Sequence, residues 1–367
     1  MKKIIIIIIL LFILLLTGST PKEEVRGVFI SYIEEKRYLS NNQTNNIKEM
    51  VSNIKKNNYN LIILQVRSNA DSIYNSKYYP KVDYINDLDI LDLFIKEAHN
   101  NNLKIYAWIN PYRISTSNDI SIIKENSPAY KYIDTDYIYI NNGIYFNPSK
   151  QEVEDLIING VEEIIENYEV DGILYDDYFY PSDDIDILDY NKYIQDNGFI
   201  ESNKYHLNII NKMIKRTHDI CTKKNIVFGV SPDGNINNNY EYLYADIYKW
   251  IDEEYIDFIM PQVYYGLFNE KMPFYNTIKE WNEITKNKTK LYIALSLYKS
   301  GNIDKYAKSG SEEWINNKDI IKREVILSRN LSNYSGFSIF RYDHLFTEEI
   351  QNNNVKEEVN NLHKILN

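Results

Sequence analysis

One cysteine in 367 residues leaves no internal disulfide to staple this chain. Cys221 lies in a helical pattern with no histidine-bearing motif beside it, so it reads as core rather than as a nucleophile. Histidine is almost as scarce: His99, His206, His218, His344 and His363, four of them in helical segments and none spaced H-x-x-x-H. A hydrolytic zinc site wants clustered His or Cys, so no metal and no cofactor is expected. No G-x-G-x-x-G or G-x-x-x-x-G-K-[ST] follows the first strand, which removes support for nucleotide binding. No G-x-S-x-G elbow is present for a serine triad. Basic residues are outnumbered, 41 against 52 acidic, for a net charge of −11 and a pI near 5.1. Phosphate backbones need a basic face, so nucleic acid is not an expected partner.

What is present starts with a leader. Met1-Lys2-Lys3 precedes the unbroken apolar run Ile4 to Leu16, and Thr17-Gly18-Ser19-Thr20 supplies small residues. This pattern describes a secretory signal over 1–20, too short for a comfortable membrane span. The leader is expected to be cleaved near Ser19 or kept as a membrane tether, with a single domain over 21–367. The remaining composition, 44% hydrophobic and 25% charged, is that of an ordinary globular protein.

The run Asp171-Gly-Ile-Leu-Tyr-Asp-Asp-Tyr-Phe-Tyr-Pro181 organises the rest. A short apolar strand runs into Asp176 and Asp177, and then into three aromatics and a proline that ends it. Strands are also expected at 25–32, 61–68, 104–111, 226–232, 256–265, 290–298 and 336–343. Helices are expected at 45–57, 89–101, 151–168, 203–224, 244–254, 277–286, 312–331 and 347–366. Residues 112–147 read as a long polar loop, and 182–197 as loop with some helix. The nearly continuous apolar strands suit a parallel sheet covered on both faces. Eight strands alternating with helices predict an α/β fold, a (β/α)8 TIM barrel, with an open doubly wound sheet as the alternative.

In such a barrel the carboxyl ends of the strands converge, so reading those ends predicts the site. They supply Arg67 and Asp71, Trp108, Asn110, Tyr112 and Arg113, Asp176, Asp177 and Tyr178, Asp233, Gln262 and Tyr264, and Arg341 and Asp343. Aromatics, amides and carboxylates suit a sugar site, with rings to stack on and amides for hydroxyls. The chemistry open to them is paired-carboxylate glycoside hydrolysis. Adjacent strand residues point to opposite sides, so Asp176 is favoured over Asp177 as the catalytic acid. The partner acid is Asp71, Asp343 or Asp233. Strand seven ends without a carboxylate, against the arrangement that uses acids on strands four and seven. Arg67 and Arg341 read equally well as substrate ligands or as ion pairs bracing the mouth. The acidic loop holding Asp183, Asp184, Asp186 and Asp189 lacks the spacing of a calcium-binding helix-loop-helix and reads as solvated.

These blocks resemble bacterial glycosyl-hydrolase-like family 10, a group of exported barrel proteins, from about Glu24 to about Leu345. The resemblance rests on Val25-Arg-Gly-Val-Phe29, Gln65-Val-Arg-Ser-Asn-Ala-Asp-Ser-Ile-Tyr74 and Ala107-Trp-Ile-Asn-Pro-Tyr-Arg113. It continues through the Asp171 run, Phe228-Gly-Val-Ser-Pro232, Tyr244-Ala-Asp-Ile-Tyr-Lys-Trp250, Ile256-Asp-Phe-Ile-Met-Pro-Gln-Val-Tyr264 and Phe340-Arg-Tyr-Asp343. It implies an exported glycosidase of the cell envelope acting on polysaccharide, with peptidoglycan glycan strands suggested for some relatives. The site it implies is Arg67, Asp71, Asn110, Arg113, Asp176, Asp177, Gln262 and Tyr264. Relatives are often lipoproteins, and Ser19 stands here where their cysteine would be. A barrel that binds glycan without cleaving it is the alternative function. A deacetylase or amidase would require a metal.

Overall fold

The computed structural model describes residues 23–176 and 179–366; the leader over 1–20, with Asp177 and Tyr178, lies outside them. Eight parallel strands close into a barrel: β1 (Val25–Ile30), β2 (Leu61–Arg67), β3 (Lys104–Ile109), β4 (Gly172–Tyr175), β5 (Val227–Val230), β6 (Phe258–Ile259), β7 (Lys290–Leu295) and β8 (Tyr334–Ile339). Neighbours in sequence are neighbours in the barrel, and β8 pairs with β1 to complete it. The expected TIM barrel is therefore the fold.

Side-chain alternation sorts each strand into two cores. Phe29, Ile63, Tyr106, Trp108, Leu174 and Phe258 fill the interior. Val28, Ile62, Leu64, Ile105, Ile173 and Phe228 face outward, against the helices. The helical layer is amphipathic as its spacing predicts; in Gln43–Lys56, for example, Ile47, Met50, Val51 and Ile54 are buried together. Cys221 is buried in helix Ser202–Lys223, and burial pushes its thiol up, away from the reactive thiolate.

Several expected elements differ. The 112–147 segment is not an open loop: Arg113–Ser115, Ile138–Ile140 and Ile144–Phe146 form a small antiparallel sheet above the barrel. Ladder bonds satisfy backbone groups that the polar composition had suggested were left to water. The helix expected over 312–331 is two, Glu313–Asn316 and Ile320–Ser328, and the last helix starts only at Asn353. β6 has two ladder residues, extended by bridges from Gln262 to Asp233 and to Ala294. A helix, Tyr32–Tyr38, follows β1 directly. It is started by a capping box in which the Ser31 side chain caps the backbone and Glu34 returns to the Ser31 N–H.

The closing seam is pinned at both ends. At the carboxyl end Arg341 bonds Glu34 and reaches Asp343 at 3.4 Å. At the amino end Glu24 takes Arg26 (2.7 Å), Arg329 (2.8 Å) and the Tyr334 hydroxyl (2.8 Å). A cavity of 620 Å³ opens on this amino-terminal face beside Leu61, Tyr106, Phe258 and Tyr292. Its Asp171 and Asp257 accept from the Ile105 and Phe228 backbone N–H groups at strand starts, which reads as support for the barrel rather than as a reaction site.

Burial alone would raise the Glu24 carboxyl, but hydrogen bonds from Arg329, Arg26 and Tyr334 overcome it and hold the group at about 2. Its folded pKa lies below the ordinary 4.5, so its stabilisation is complete above that value and is lost as pH falls toward 2. Glu24→Gln is expected to cost about 1–2 kcal/mol near neutrality, discounted for its partial exposure. The difference from the parent should shrink below pH 4.5, as read by urea unfolding across pH; a constant difference would refute the linkage.

Candidate active site

β4 ends at Tyr175, and the next residue, Asp176, is buried at the carboxyl end of the barrel. Three side-chain N–H donors reach its carboxylate. Trp108 Nε1 (3.1 Å) and Asn110 Nδ2 (3.0 Å) come from the end of β3, both to Oδ2. Gln262 Nε2 (3.1 Å), just beyond β6, donates to Oδ1 and also to the Ser231 carbonyl. Asn110 is oriented in turn by Gln65 Nε2 at 2.7 Å, and Gln65 accepts from the Tyr32 N–H at 3.0 Å. The carboxylate is thus fixed by strands three, four and six and by a supporting amide from strand two. Trp108 packs edge-on to Phe29 (5.3 Å), so its indole cannot swing away.

The other expected residues divide. Tyr264 lies at the same rim, packed near Tyr298 and Phe340 with ring centroids about 6 Å apart, and Lys299 bonds its carbonyl at 2.7 Å. Arg113 donates to the Ser68 carbonyl at 2.8 Å, tying the start of the small sheet to the loop after β2. Asp233, half-buried after β5, accepts from the Asn235 N–H at 2.6 Å; burial raises its carboxyl. Tyr112 is buried in the outer core.

Arg67 is turned away from the mouth. A bulge lies between Gln65 and Arg67, so Gln65 pairs with inward Trp108 but Arg67 with outward Ile109. The extra residue reverses the facing of everything after it. Arg67 is 2% exposed, with its guanidinium 4.1 Å over the Tyr79 ring. A side chain on Gly160 would come within 2.2 Å of Arg67 Nη1, so the glycine is what lets helix Gln151–Asn167 close over it. No carboxylate pairs with Arg67 among the described residues; it is held by aromatic faces, neither of the two roles read from sequence.

Asp343 is fully buried. It meets Arg37 (3.3 Å), Arg341 (3.4 Å), the Tyr38 hydroxyl (3.2 Å) and Thr347 (3.1 Å). With Arg341 on Glu34, this is a network bracing the β1–β8 seam. Asp71 differs: it lies in the loop after β2, partly buried, with no hydrogen-bond partner to Oδ1 among the described residues. Burial pushes its carboxyl up to about 6, against the opposing pull of Lys124, the Asn69 backbone and Lys36.

The aromatics after the strand-four acids serve as anchors. Phe179 packs edge-on to Trp250 (5.7 Å), and the Tyr180 hydroxyl donates to Asp186 at 2.6 Å. Asp186 also holds His206 Nε2 at 3.0 Å. Asp189 takes Lys150 (2.8 Å), Asn147 and Ser149, so two acids of the loop expected to be solvated are tied into the protein. Among the described residues no three His, Cys, Asp or Glu side chains group as metal ligands. Glu34, Glu35 and Tyr84 were not among the expected site residues, although the Ser31-x-x-Glu34 spacing is a helix-start signal that would have placed both acids above β1.

Comparison with known proteins bears on the family and the fold. A family model described as glycosyl hydrolase-like 10 matches residues 24–312. Glycosyl hydrolase YngK of Bacillus subtilis (strain 168) is 30% identical over 352 aligned residues, covering 85% of this chain and 67% of the relative. Glycosyl hydrolase DigH of Escherichia coli (strain K12) is 28% identical over 328, covering 80% and 74%. Among solved structures, the PgaB (BpsB) glycoside hydrolase domain from Bordetella bronchiseptica superposes with a TM-score of 0.60 at 11% identity, over 89% of this chain and 96% of that one. The catalytic domain of beta-amylase from Paenibacillus polymyxa also gives 0.60, at 10% identity, over 95% and 100%. These last two are likenesses of fold.

Asp343→Ala is expected to act on stability rather than on substrate. Removing one member of a buried charged network costs on the order of 2–4 kcal/mol. Unfolding should shift accordingly while glycan affinity of the folded fraction stays unchanged. Wild-type stability with lost turnover would instead place Asp343 in the chemistry.

Proposed function

The chain belongs to the glycosyl hydrolase-like 10 family and is a glycoside hydrolase; from that premise we propose that it cleaves cell-envelope polysaccharide, the glycan strands of peptidoglycan. The observation that carries the site assignment is Asp176, held at the end of β4 by Trp108, Asn110 and Gln262. The leader pattern over 1–20 and the family likeness support an exported enzyme meeting this substrate. In this reading the protein works outside the membrane or tethered to it through the leader, without a cofactor.

Two carboxyl groups in unlike surroundings divide the work. Asp176, oriented by three N–H groups, faces the anomeric carbon as nucleophile or as the base for water. Asp71, kept protonated toward neutrality by burial, supplies the proton to the departing glycosidic oxygen. Of the candidate partner acids, Asp343 has its oxygens engaged in the seam network and Asp233 is bonded within its own loop, whereas Asp71 keeps a free oxygen. Tyr264 and Arg113 are assigned to sugar binding in this reading. Asp177 and Tyr178, beside Asp176 in sequence, are assigned to the same subsite.

The test is to incubate purified protein with peptidoglycan sacculi, intact and amidase-treated, and to identify released sugars by mass spectrometry. Asp176→Asn is expected to lower turnover by on the order of 10³-fold or more while glycan still co-sediments with the protein. Full activity of that variant would pass the role to Asp177. Binding without any release by the parent protein would make this a carbohydrate-binding barrel.

A further inference from the structure

In the closed ring of eight strands β8 lies opposite β4, and β7 lies opposite β3. The rim across from Asp176 therefore belongs to Phe340, the first residue after β8, and to Tyr298, in the turn Leu297–Lys299 after β7. Trp108 joins the two sides: its Nε1 bonds Asp176 at 3.1 Å and its ring centroid lies 6.5 Å from that of Phe340. Phe340 also packs on Phe29 (5.7 Å), Tyr264 (5.9 Å) and Tyr298 (5.9 Å). The Tyr264 plane is within 38° of the Phe340 plane, whereas Tyr298 stands edge-on to both, at 88° and 79°. Rings in two crossed planes thus form a corner at the mouth.

Tyr298 is the ring of this corner that the fold uses least. It is only partly buried, and its hydroxyl meets no hydrogen-bond partner among the described residues. Tyrosines that brace the structure spend theirs on carboxylates, as Tyr84 does on Glu35 and Tyr180 on Asp186. The corner is also uncharged. Lys299, next in the chain, is turned to the Tyr264 carbonyl and to Asp304, both at 2.7 Å, and Arg341 is engaged by Glu34. His344, with its ring 6.3 Å from Tyr298, is pushed down to about 4 by burial and by the Arg341 charge, so near neutrality it is a neutral imidazole. A pyranose presents a face of C–H bonds that packs on an aromatic ring, with hydroxyls at its edge for a phenol to bond.

We propose that Tyr298 is the stacking platform for the sugar bound across the mouth from Asp176, and that it takes an uncharged pyranose. The inference rests on the placement of the reaction at Asp176. Phe340 holds the platform from behind, and Trp108 lies between it and the carboxylate. With no cation at this corner and a net charge of −11 on the chain, an acidic sugar gains nothing here. In a peptidoglycan strand every second sugar bears a carboxylate on its lactyl ether, so Tyr298 takes the N-acetylglucosamine unit that lacks it.

The experiment is calorimetric titration of the full chain and its Tyr298 variants with short N-acetylglucosamine oligomers and with galacturonate oligomers of equal length. The parent is expected to bind the neutral oligomer and to bind the acidic one at least about ten-fold more weakly. Tyr298→Phe keeps the ring and is expected to stay within about three-fold of the parent. Tyr298→Leu is expected to lose about ten-fold in affinity while its unfolding midpoint stays parental. On amidase-treated sacculi the same variant should raise KM by about ten-fold with kcat little changed. Tyr298→Gln, with a polar tip for the exposed side, gives the same reading if the leucine variant does not fold. Parental affinity in a folded Tyr298→Leu or Tyr298→Gln overturns the proposal, as does equal binding of the two oligomers or no binding of the neutral one. Failure of both variants to fold makes Tyr298 a support of the rim and also overturns it. Sacculi left uncleaved by a parent that binds the neutral oligomer through Tyr298 would instead sink the proposed reaction and leave the platform standing.

Discussion

Closure of the parallel sheet is the constraint on which everything else depends. A strand such as β4, apolar on both faces, is stable only with neighbours on each side and helices behind it. Eight strands meet this by pairing β8 back to β1, which leaves no open edge. The same closure brings all eight carboxyl ends to one rim. Residues as distant in sequence as Asn110, Asp176 and Gln262 then share hydrogen bonds because their strands end at one height. The seam is braced by ion pairs at both ends: Glu24 with two arginines below, and Glu34, Arg341 and Asp343 above.

That rim sorts carboxyl groups by surroundings rather than by type. Asp343 meets guanidinium groups and hydroxyls and is committed to the seam. Among the described residues Asp176 meets three uncharged N–H donors, which orient it. Asp71 feels Lys124 and Lys36, yet burial outweighs them and pushes its carboxyl up to about 6. Glycoside cleavage asks for two carboxyl groups in different roles, and in the proposed reading Asp176 and Asp71 are that pair.

The aromatic content is divided between structure and surface. The interior is floored by Phe29, Tyr106, Trp108 and Phe258, with neighbouring rings about 5 Å apart. Phe179 and Tyr180 lock the chain just beyond the strand-four acids onto Trp250 and the Asp186–His206 pair. Phe179 and Tyr180 therefore serve as anchors for the chain after β4, a task set by the short length of that strand. A four-residue strand gives the loop after it little ladder to hang from, so buried rings do that job.

The sequence by itself determined the barrel and its rim. Apolar runs such as 61–64 and 291–295, separated by helices with a 3.6-residue period, specify strand and helix through local periodicity. Strand ends then named Trp108, Asn110, Asp176 and Gln262, and the structure brings these four together. What only the tertiary structure decided was the facing of single side chains and the fate of each charge. The bulge that sends Arg67 outward adds one residue to a strand whose apolar pattern reads the same with or without it. The pairing of Glu35 with Tyr84 spans 49 residues and that of Tyr38 with Asp343 spans 305, so each joins groups that local sequence does not bring together. Periodicity encodes which way a segment folds, because that depends on near neighbours. Burial and hydrogen bonding decide what an acid does, because they depend on groups that only barrel closure brings near.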